Sequence, residues 1–475
     1  MLKEFFKNIS IYGILPVVGK FMGFLLVPLY AKMFSVEEFG MIDVIDVLVF
    51  FLLLLTSFEI PTALGRYFYD SPDMKYKQTI VSTGLYLTLI TTSLFTSLAL
   101  IFENQILTFY IGSNQYHSLF HLALVWLFLS SANTYTSFIP RYDNKPKLYV
   151  LVSLISIFTK LLSSVFFIVV LGMGLKGVFY GYICGSSLSI IIYLLVTRQF
   201  IALSFSMPFA KKMLAYSAPL MLGVLAMGVW PLLSRYFILT FFPIVIIGYY
   251  SFSIRIVSVN SIIHSALGMA WKPMLFENKD HLIQANHIKR ISGIMSFFSL
   301  SLGVVLTLLA PEITLGVGKS DFLGGVAFIG LLALAGSIKA LTELRGFAPY
   351  LTNKTYVVSI ANISALVVCS LMMLLFKDKL GIAGIGLVMI LYEAINYIIR
   401  TLYTFRKYRI PLHNFYEAGL LMFLLVAELT IINICSLTVR LVLLLLLLLY
   451  ALYVFKLMGG VAELKKLVKQ RNRKT

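Results

Sequence analysis

Apolar runs of roughly twenty residues alternate with short polar segments along almost the whole chain. A run of that length, wound as a helix, crosses a hydrocarbon core of about 30 Å. The pattern predicts transmembrane helices over 9–31, 41–63, 79–101, 117–139, 148–171, 175–197, 214–239, 244–271, 288–310, 324–345, 356–376, 380–402, 416–436 and 440–458. Barrel strands alternate over about ten residues and are not continuously apolar, so a β-barrel is excluded. The expected fold class is an all-α integral membrane protein with about 14 transmembrane helices.

Composition agrees with this pattern. The chain is 60% hydrophobic and only 12% charged, with a mean hydropathy of +0.93. A soluble domain of that size could not hide so much apolar surface, and lipid must solvate it. The three cysteines, Cys184, Cys369 and Cys435, all lie inside apolar runs, so neither a disulfide framework nor a thiolate metal site is expected. The start MLKEFFKN is basic, but no small-residue cleavage site follows, which predicts a retained first helix.

The net charge of +19 sits at membrane edges, so it does not point to nucleic acid. One set of edges holds Lys3, Lys7, Arg66, Lys75, Lys77, Arg141, Lys145, Lys147, Arg198, Lys211, Lys212, Lys272, Lys279, Lys289, Arg290, Arg345, Lys354, Arg400, Arg406, Lys407, Arg409 and the tail from Lys456 to Lys474. The other holds Lys32, Lys176, Lys319, Lys377, Lys379 and Arg440. Short cytoplasmic loops retain Lys and Arg, so the richer set is expected in the cytoplasm together with both termini.

The chain also repeats internally. Asn144-Lys145 precedes the fifth helix as Asn353-Lys354 precedes the eleventh. Gly174-Leu175-Lys176-Gly177-Val178 opens the sixth helix as Gly381-Ile382-Ala383-Gly384-Ile385 opens the twelfth. Pro28-Leu29-Tyr30 and Gly40 pair with Pro231-Leu232-Leu233 and Gly248. The unit is six helices, an even number of crossings, so the copies form a parallel pseudo-twofold repeat about the membrane normal. The expected organisation is a six-helix lobe over 1–200, a second over 201–410, two C-terminal helices over 411–460 and a basic cytoplasmic tail over 461–475. Two like-oriented bundles rocking about a central cavity imply a transporter.

Charges at bilayer depth are expensive and normally face protein or a water-filled cavity. They are Lys20, Asp43, Asp46, Glu59 and Lys160 in the first half, and Arg235, Arg255, Lys339, Glu343 and Glu393 in the second. Asp43 and Asp46 share a helical face, and Lys339 and Glu343, four apart, can pair. That pairing leaves Lys20, Lys160, Arg235 and Arg255 as expected unpaired cations. A cationic cavity suits an anionic cargo such as a phosphate, so the substrate-binding candidates are Lys20, Arg255, Lys160, Arg235 and Lys339. Snorkelling to the outer surface is the alternative for Arg235, and Lys160 sits barely a dozen residues into its helix. Glu59, Asp46 and Glu393 are the ion-coupling candidates, with helix-end solvation or an ion pair as the alternative. His264 suits either a proton shuttle or a packing role.

No Walker loop, HExxH, GxSxG or CxxC occurs, so no catalytic role, cofactor or metal is expected. Three segments carry a family resemblance: Phe34-Ser35-Val36-Glu37-Glu38-Phe39-Gly40, Gly65-Arg66-Tyr67-Phe68 and Ile247-Gly248-Tyr249-Tyr250-Ser251. They resemble the polysaccharide flippases (O-antigen translocases, Wzx-type) of the multidrug/oligosaccharidyl-lipid/polysaccharide exporter superfamily. In length and helix layout the resemblance covers essentially the whole chain. It implies a V-shaped pair of lobes in the bacterial cytoplasmic (inner) membrane that moves an undecaprenyl-diphosphate-linked oligosaccharide outward by alternating access. It also implies antiport against H+ or Na+, contact with membrane lipids, and polysaccharide polymerase and chain-length machinery as partners. A multidrug/toxin exporter and a peptidoglycan lipid-precursor flippase share the fold and are the alternatives. A polymerase or glycosyltransferase would need a larger, more charged outer loop than 102–116 or 311–323.

Overall fold

A computed structural model describes residues 18–19, 21–277, 285–352, 354, 356–377, 381–408 and 437–457. Every regular element among them is helical. In chain order these are α1 (Phe21–Met33), α2 (Val36–Ser57), α3 (Ile60–Tyr67), α4 (Met74–Ile101), α5 (Glu103–Ile106), α6 (His117–Tyr142), α7 (Pro146–Val165), α8 (Leu175–Val196), α9 (Met207–Phe241), α10 (Ile244–Glu277), α11 (Ala285–Leu308), α12 (Ala310–Val317), α13 (Val326–Arg345), α14 (Ala348–Leu351), α15 (Tyr356–Phe376), α16 (Ile382–Tyr408) and α17 (Leu437–Leu457). Nine helical stretches among the described residues are long and apolar enough to cross a membrane. A tenth is the pair Ser296–Leu308 and Ala310–Val317, bent by 70°. A helix stands at every predicted span except 416–436, which lies outside the described residues, as does the tail.

The chain divides into two compact units, Met1–Phe252 and Ser253–Thr475. The division falls inside α10, so α9 packs with the first unit although the repeat counts it as the opening helix of the second half.

In the first unit α2 begins earlier than hydropathy suggests, at Val36 instead of 41. Ser35 and Glu38 form a reciprocal capping box: the Ser35 hydroxyl accepts from the Glu38 amide at 3.1 Å, and the Glu38 carboxylate accepts from the Ser35 amide at 2.9 Å. Negative charge in a first turn also suits the helix dipole. The span is interrupted where Phe58 (φ 46) and Glu59 (φ 53) both adopt the left-handed region. Each such non-glycine residue costs about 1–2 kcal/mol, and the break redirects the chain into α3, with Pro61 in its first turn.

Small residues set the helix spacing, as expected where lipid supplies no hydrophobic drive between helices. Gly177, Gly181 and Gly185 form a stripe along α8: the last two lie directly on α7, and the first on Phe167 and Ile168 just beyond it. A Cβ at Gly185 would sit 2.8 Å from the Ser156 carbonyl and 2.9 Å from Lys160 Cβ. Likewise α2 meets α10 at Gly40, where a Cβ would come 2.7 Å from the Gly248 nitrogen. Polar side chains tie the remaining helices: Tyr135 O–H donates to the Val81 carbonyl at 2.8 Å, and Thr92 to Ser131 at 2.7 Å.

In the second unit α16 lies against α13, with Gly386 so close that a Cβ would come 2.7 Å from Leu331 Cβ. α17 closes on α11 through Leu447, which packs with Phe297, Leu300, Val304, Leu308 and Leu341. Arg440 of α17 donates to the Leu308 carbonyl at 3.4 Å and pairs with Glu312 at 2.8 Å. It thereby satisfies backbone freed by the bend between α11 and α12.

Candidate functional site

The charges at bilayer depth gather into three places. The first joins α2, α9 and the start of α10. Asp43 of α2 accepts from Arg235 Nε at 3.0 Å and from the Ser251 hydroxyl at 3.0 Å. The Arg235 guanidinium also donates to Ser234 at 3.3 Å and to the Tyr250 hydroxyl at 3.4 Å. Both charged residues are buried. Arg235 is therefore not an unpaired cation: the sequence separates it from Asp43 by 192 positions, and the fold brings them together. The buried Tyr110 hydroxyl lies within electrostatic reach of both and has no hydrogen-bond partner among the described residues.

All three segments that carry the family resemblance prove to be packing devices of this unit. Ser35 and Glu38 cap α2, Phe39 meets the Phe252 ring edge-on at 5.8 Å, Gly40 admits the backbone of Gly248, and Gly248 that of Val36. Gly65 makes room for Tyr142, and Phe68 is buried between Tyr142 and Phe200. Tyr250 and Ser251 supply the shell around Arg235 and Asp43.

The second place is Lys160 on α7, half-buried. Its ammonium stands 3.5 Å from the Tyr182 ring centroid and 5.0 Å from that of Trp126, and these two rings lie 4.7 Å apart. Gly185, one turn beyond Tyr182, leaves space for the lysine stem. An aromatic platform of this kind holds a cation by about 0.5–2 kcal/mol without neutralising it.

The third place lies between α13 and α16. Lys339 does not pair with Glu343. It faces Glu393 at 4.0 Å, while Glu343 pairs with Arg400 at 3.0 Å. Arg400 also donates to the Gly346 carbonyl at 3.4 Å and lies 5.7 Å from the Tyr350 ring centroid. Lys339 and Glu343 are four apart and Glu393 and Arg400 seven apart, so each couple shares a helix face and the two faces meet with opposite charges in register. Arg345, buried beside them, donates to the Tyr397 hydroxyl at 3.2 Å.

The other candidates are dispersed. Asp46 is half-buried one turn beyond Asp43, Arg255 is half-buried on α10, and Glu59 caps α3 and accepts from the Thr62 hydroxyl at 2.5 Å. Lys20 and the His264 side chain lie outside the described residues. Arg345, Arg400 and Arg440, counted from sequence among the edge charges, are buried. The seven-residue spacing from Glu393 to Arg400 was the available signal for one of them. Among the described residues no group of three or more His, Cys, Asp or Glu side chains is placed to hold a metal ion.

Helical bundles of this layout define a class. The chain shares its fold with an inward-facing multidrug resistance MATE family transporter of the MOP superfamily (TM-score 0.69, 13% identity, 82% of this chain and 94% of that one). It shares it also with the lipid II flippase MurJ in an inward closed conformation (TM-score 0.70, 15% identity, 96% and 99%). The Vibrio cholerae MATE transporter VcmN in its bent form is more distant (TM-score 0.52, 15% identity, 86% and 97%). The fold is thus that of the MOP-type transporters. A family model described as "Polysaccharide biosynthesis protein" matches residues 5–279, more than half of the chain, and the chain belongs to that family. No curated protein matches it by sequence.

Proposed function

We propose that the chain is a flippase that carries a polyprenyl-diphosphate-linked oligosaccharide, an O-antigen-type repeat unit, across the bacterial cytoplasmic membrane by alternating access. The six-helix repeat forms the two lobes, both termini lie in the cytoplasm, and the chain transports without catalysing. The diphosphate and sugar cross among cations at membrane depth, with Lys160, Arg255 and Lys339 as the contacts and Lys20 as a further one. Asp46, Glu59 and Glu393 are the carboxylates available to a coupling ion. Polysaccharide polymerase and chain-length machinery draw off the product.

The observation that carries this reading is Lys339. It stands about 20 Å along α13 at roughly 1.5 Å per residue, with 68% of its side chain exposed. Six residues before the end of α13, about 9 Å at 1.5 Å per residue, the ammonium reaches the headgroup zone at that end, where it suits a phosphate. A peptidoglycan-precursor flippase would use the same phosphate chemistry, and the 99% coverage of MurJ favours that as the second reading. A cationic-drug exporter would need the opposite charge.

The leaflet distribution of lipid-linked repeat units in cells depleted of the protein tests the proposal. Accumulation on the cytoplasmic face with loss of surface polymer is expected. An unchanged distribution in a strain without a second flippase overturns it.

A further inference from the structure

The chain between α8 and α9 departs from the helical pattern around it. After a short turn at Arg198–Phe200, residues 201–206 are non-helical, and Ile201 and Ser206 both have extended dihedrals. In Leu203-Ser204-Phe205-Ser206-Met207 apolar and polar residues alternate with the period of extended backbone. Their orientation reverses that of a strand on a water-soluble protein. Leu203 is 100% exposed, Phe205 and Met207 are exposed, and the Ser204 hydroxyl is buried. Three large apolar side chains aimed away from the protein, at the edge of a transmembrane bundle, form a surface for lipid.

Side chains of α4 hold this strip in place. Gln78 donates to the Gln199 carbonyl at 2.9 Å. The Ala202 amide donates to the Ser82 hydroxyl at 2.8 Å and the Ser206 amide to that of Thr83 at 3.1 Å, while Phe205 meets the Tyr86 ring at 6.4 Å. From Gln78 to Tyr86 is about 12 Å along α4 at 1.5 Å per residue. The chain then comes back, for Phe209 meets the Tyr76 ring at 5.2 Å. The strip is therefore a dip along α4, with hydroxyls satisfying two of the donors that a non-helical backbone leaves open beside lipid. Cations stand on both of its shoulders. Arg198 precedes Gln199, and Lys77 precedes Gln78 and lies 4.9 Å from the ring centroid of Phe68, which meets Phe200 edge-on at 5.7 Å. Lys211 and Lys212 follow Phe209, with Lys212 5.9 Å from its ring centroid. The aspartates of the neighbouring loops are engaged elsewhere: Asp70 pairs with Arg66, Asp143 with Lys145, and Asp73 caps α4. Among the described residues these four cations thus have no carboxylate partner.

We infer that this dip is a docking surface for an anionic phospholipid: Leu203, Phe205 and Met207 lie against the acyl chains while Lys77, Arg198, Lys211 and Lys212 take the phosphate. Charge selects the lipid, because a zwitterionic headgroup brings a cation of its own to a place already rich in them. Depth agrees with this occupant, since apolar side chains at an interface sit about 5–10 Å into the boundary between headgroups and acyl chains. The surface uses none of the charges assigned to cargo, and it is independent of what the protein carries.

Hydrogen exchange of the full-length chain in nanodiscs of phosphatidylcholine, with and without phosphatidylglycerol, reads this surface directly. Phosphatidylglycerol is expected to slow exchange over 199–207 by at least about fivefold, and raised salt to reverse the effect. The variant Lys77→Gln/Arg198→Gln/Lys211→Gln/Lys212→Gln is expected to exchange alike in the two lipids, and Leu203→Ser/Phe205→Ser to exchange faster in both. Unchanged exchange within α6 and α8 shows that a variant has kept its bundle. Equal wild-type exchange in the two lipids overturns the inference, as does a difference that survives removal of the four cations in an intact bundle. Equal slowing by inorganic phosphate in phosphatidylcholine alone assigns the cations to a soluble anion and overturns it as well.

Discussion

A charge inside the bilayer is defined by what stands next to it. Asp43 and Arg235 are the clearest case, each buried and each the other's ion-pair partner. Breaking a buried pair by removing one member typically costs about 3–5 kcal/mol, because the survivor stays charged and unpaired. Arg235→Gln is therefore expected to lower thermal stability strongly in detergent, as read by scanning fluorimetry. The double variant Asp43→Asn/Arg235→Gln should recover part of that loss, and additive losses would show that the two do not act as a pair. Lys160 behaves differently. Its ammonium rests on a platform of Tyr182 and Trp126, so Tyr182→Leu is expected to reduce stability by no more than about 2 kcal/mol.

At the scale of elements, backbone proximity governs the packing. Gly248→Ala would drive a methyl group into the Val36 carbonyl at the start of α2. Backbone cannot rotate aside, so a loss of about 1–3 kcal/mol is expected from the same unfolding measurement. A second expectation concerns the segment after α4. Glu103 accepts from, or pairs with, His117 at 2.7 Å and His121 at 2.9 Å, which fastens α5 to the first turn of α6. Burial tends to raise the Glu103 carboxyl, but the bonds to the two histidines outweigh it and hold it below the usual glutamate range. A depressed carboxylate contributes stability that is present above its unfolded value and lost as pH falls through its folded one. Hydrogen exchange over 103–121 should thus accelerate only in acid below the ordinary glutamate range, and Glu103→Gln should show fast exchange already at neutral pH. The hydropathy pattern placed the elements well because apolar runs are local. It misplaced the start of α2, since a capping box draws Glu37 and Glu38 into a helix that a hydropathy window excludes.

At the scale of the molecule, fold class was legible in the sequence and the partners of charged residues were not. Length and apolarity of each run suffice to predict a spanning helix. Which carboxylate meets which cation depends on which helices touch, and nothing local to Lys339 distinguishes Glu343 from Glu393. For the whole protein, Lys339→Gln is expected to reduce surface polymer while leaving the amount inserted in the membrane unchanged; full polymer from that variant would remove Lys339 from the cargo path. The pairing of Asp43 with Arg235 also bears on how the protein is made. Asp43 leaves the ribosome 192 residues ahead of its counterion, a wait of about 10–40 s at typical synthesis rates. During that interval α2 must keep its aspartate hydrated or protonated, and a nascent chain stopped at residue 200 carries it unmatched. A chain stopped at residue 252 carries its own arginine, so the first unit is completed only once translation has passed α9.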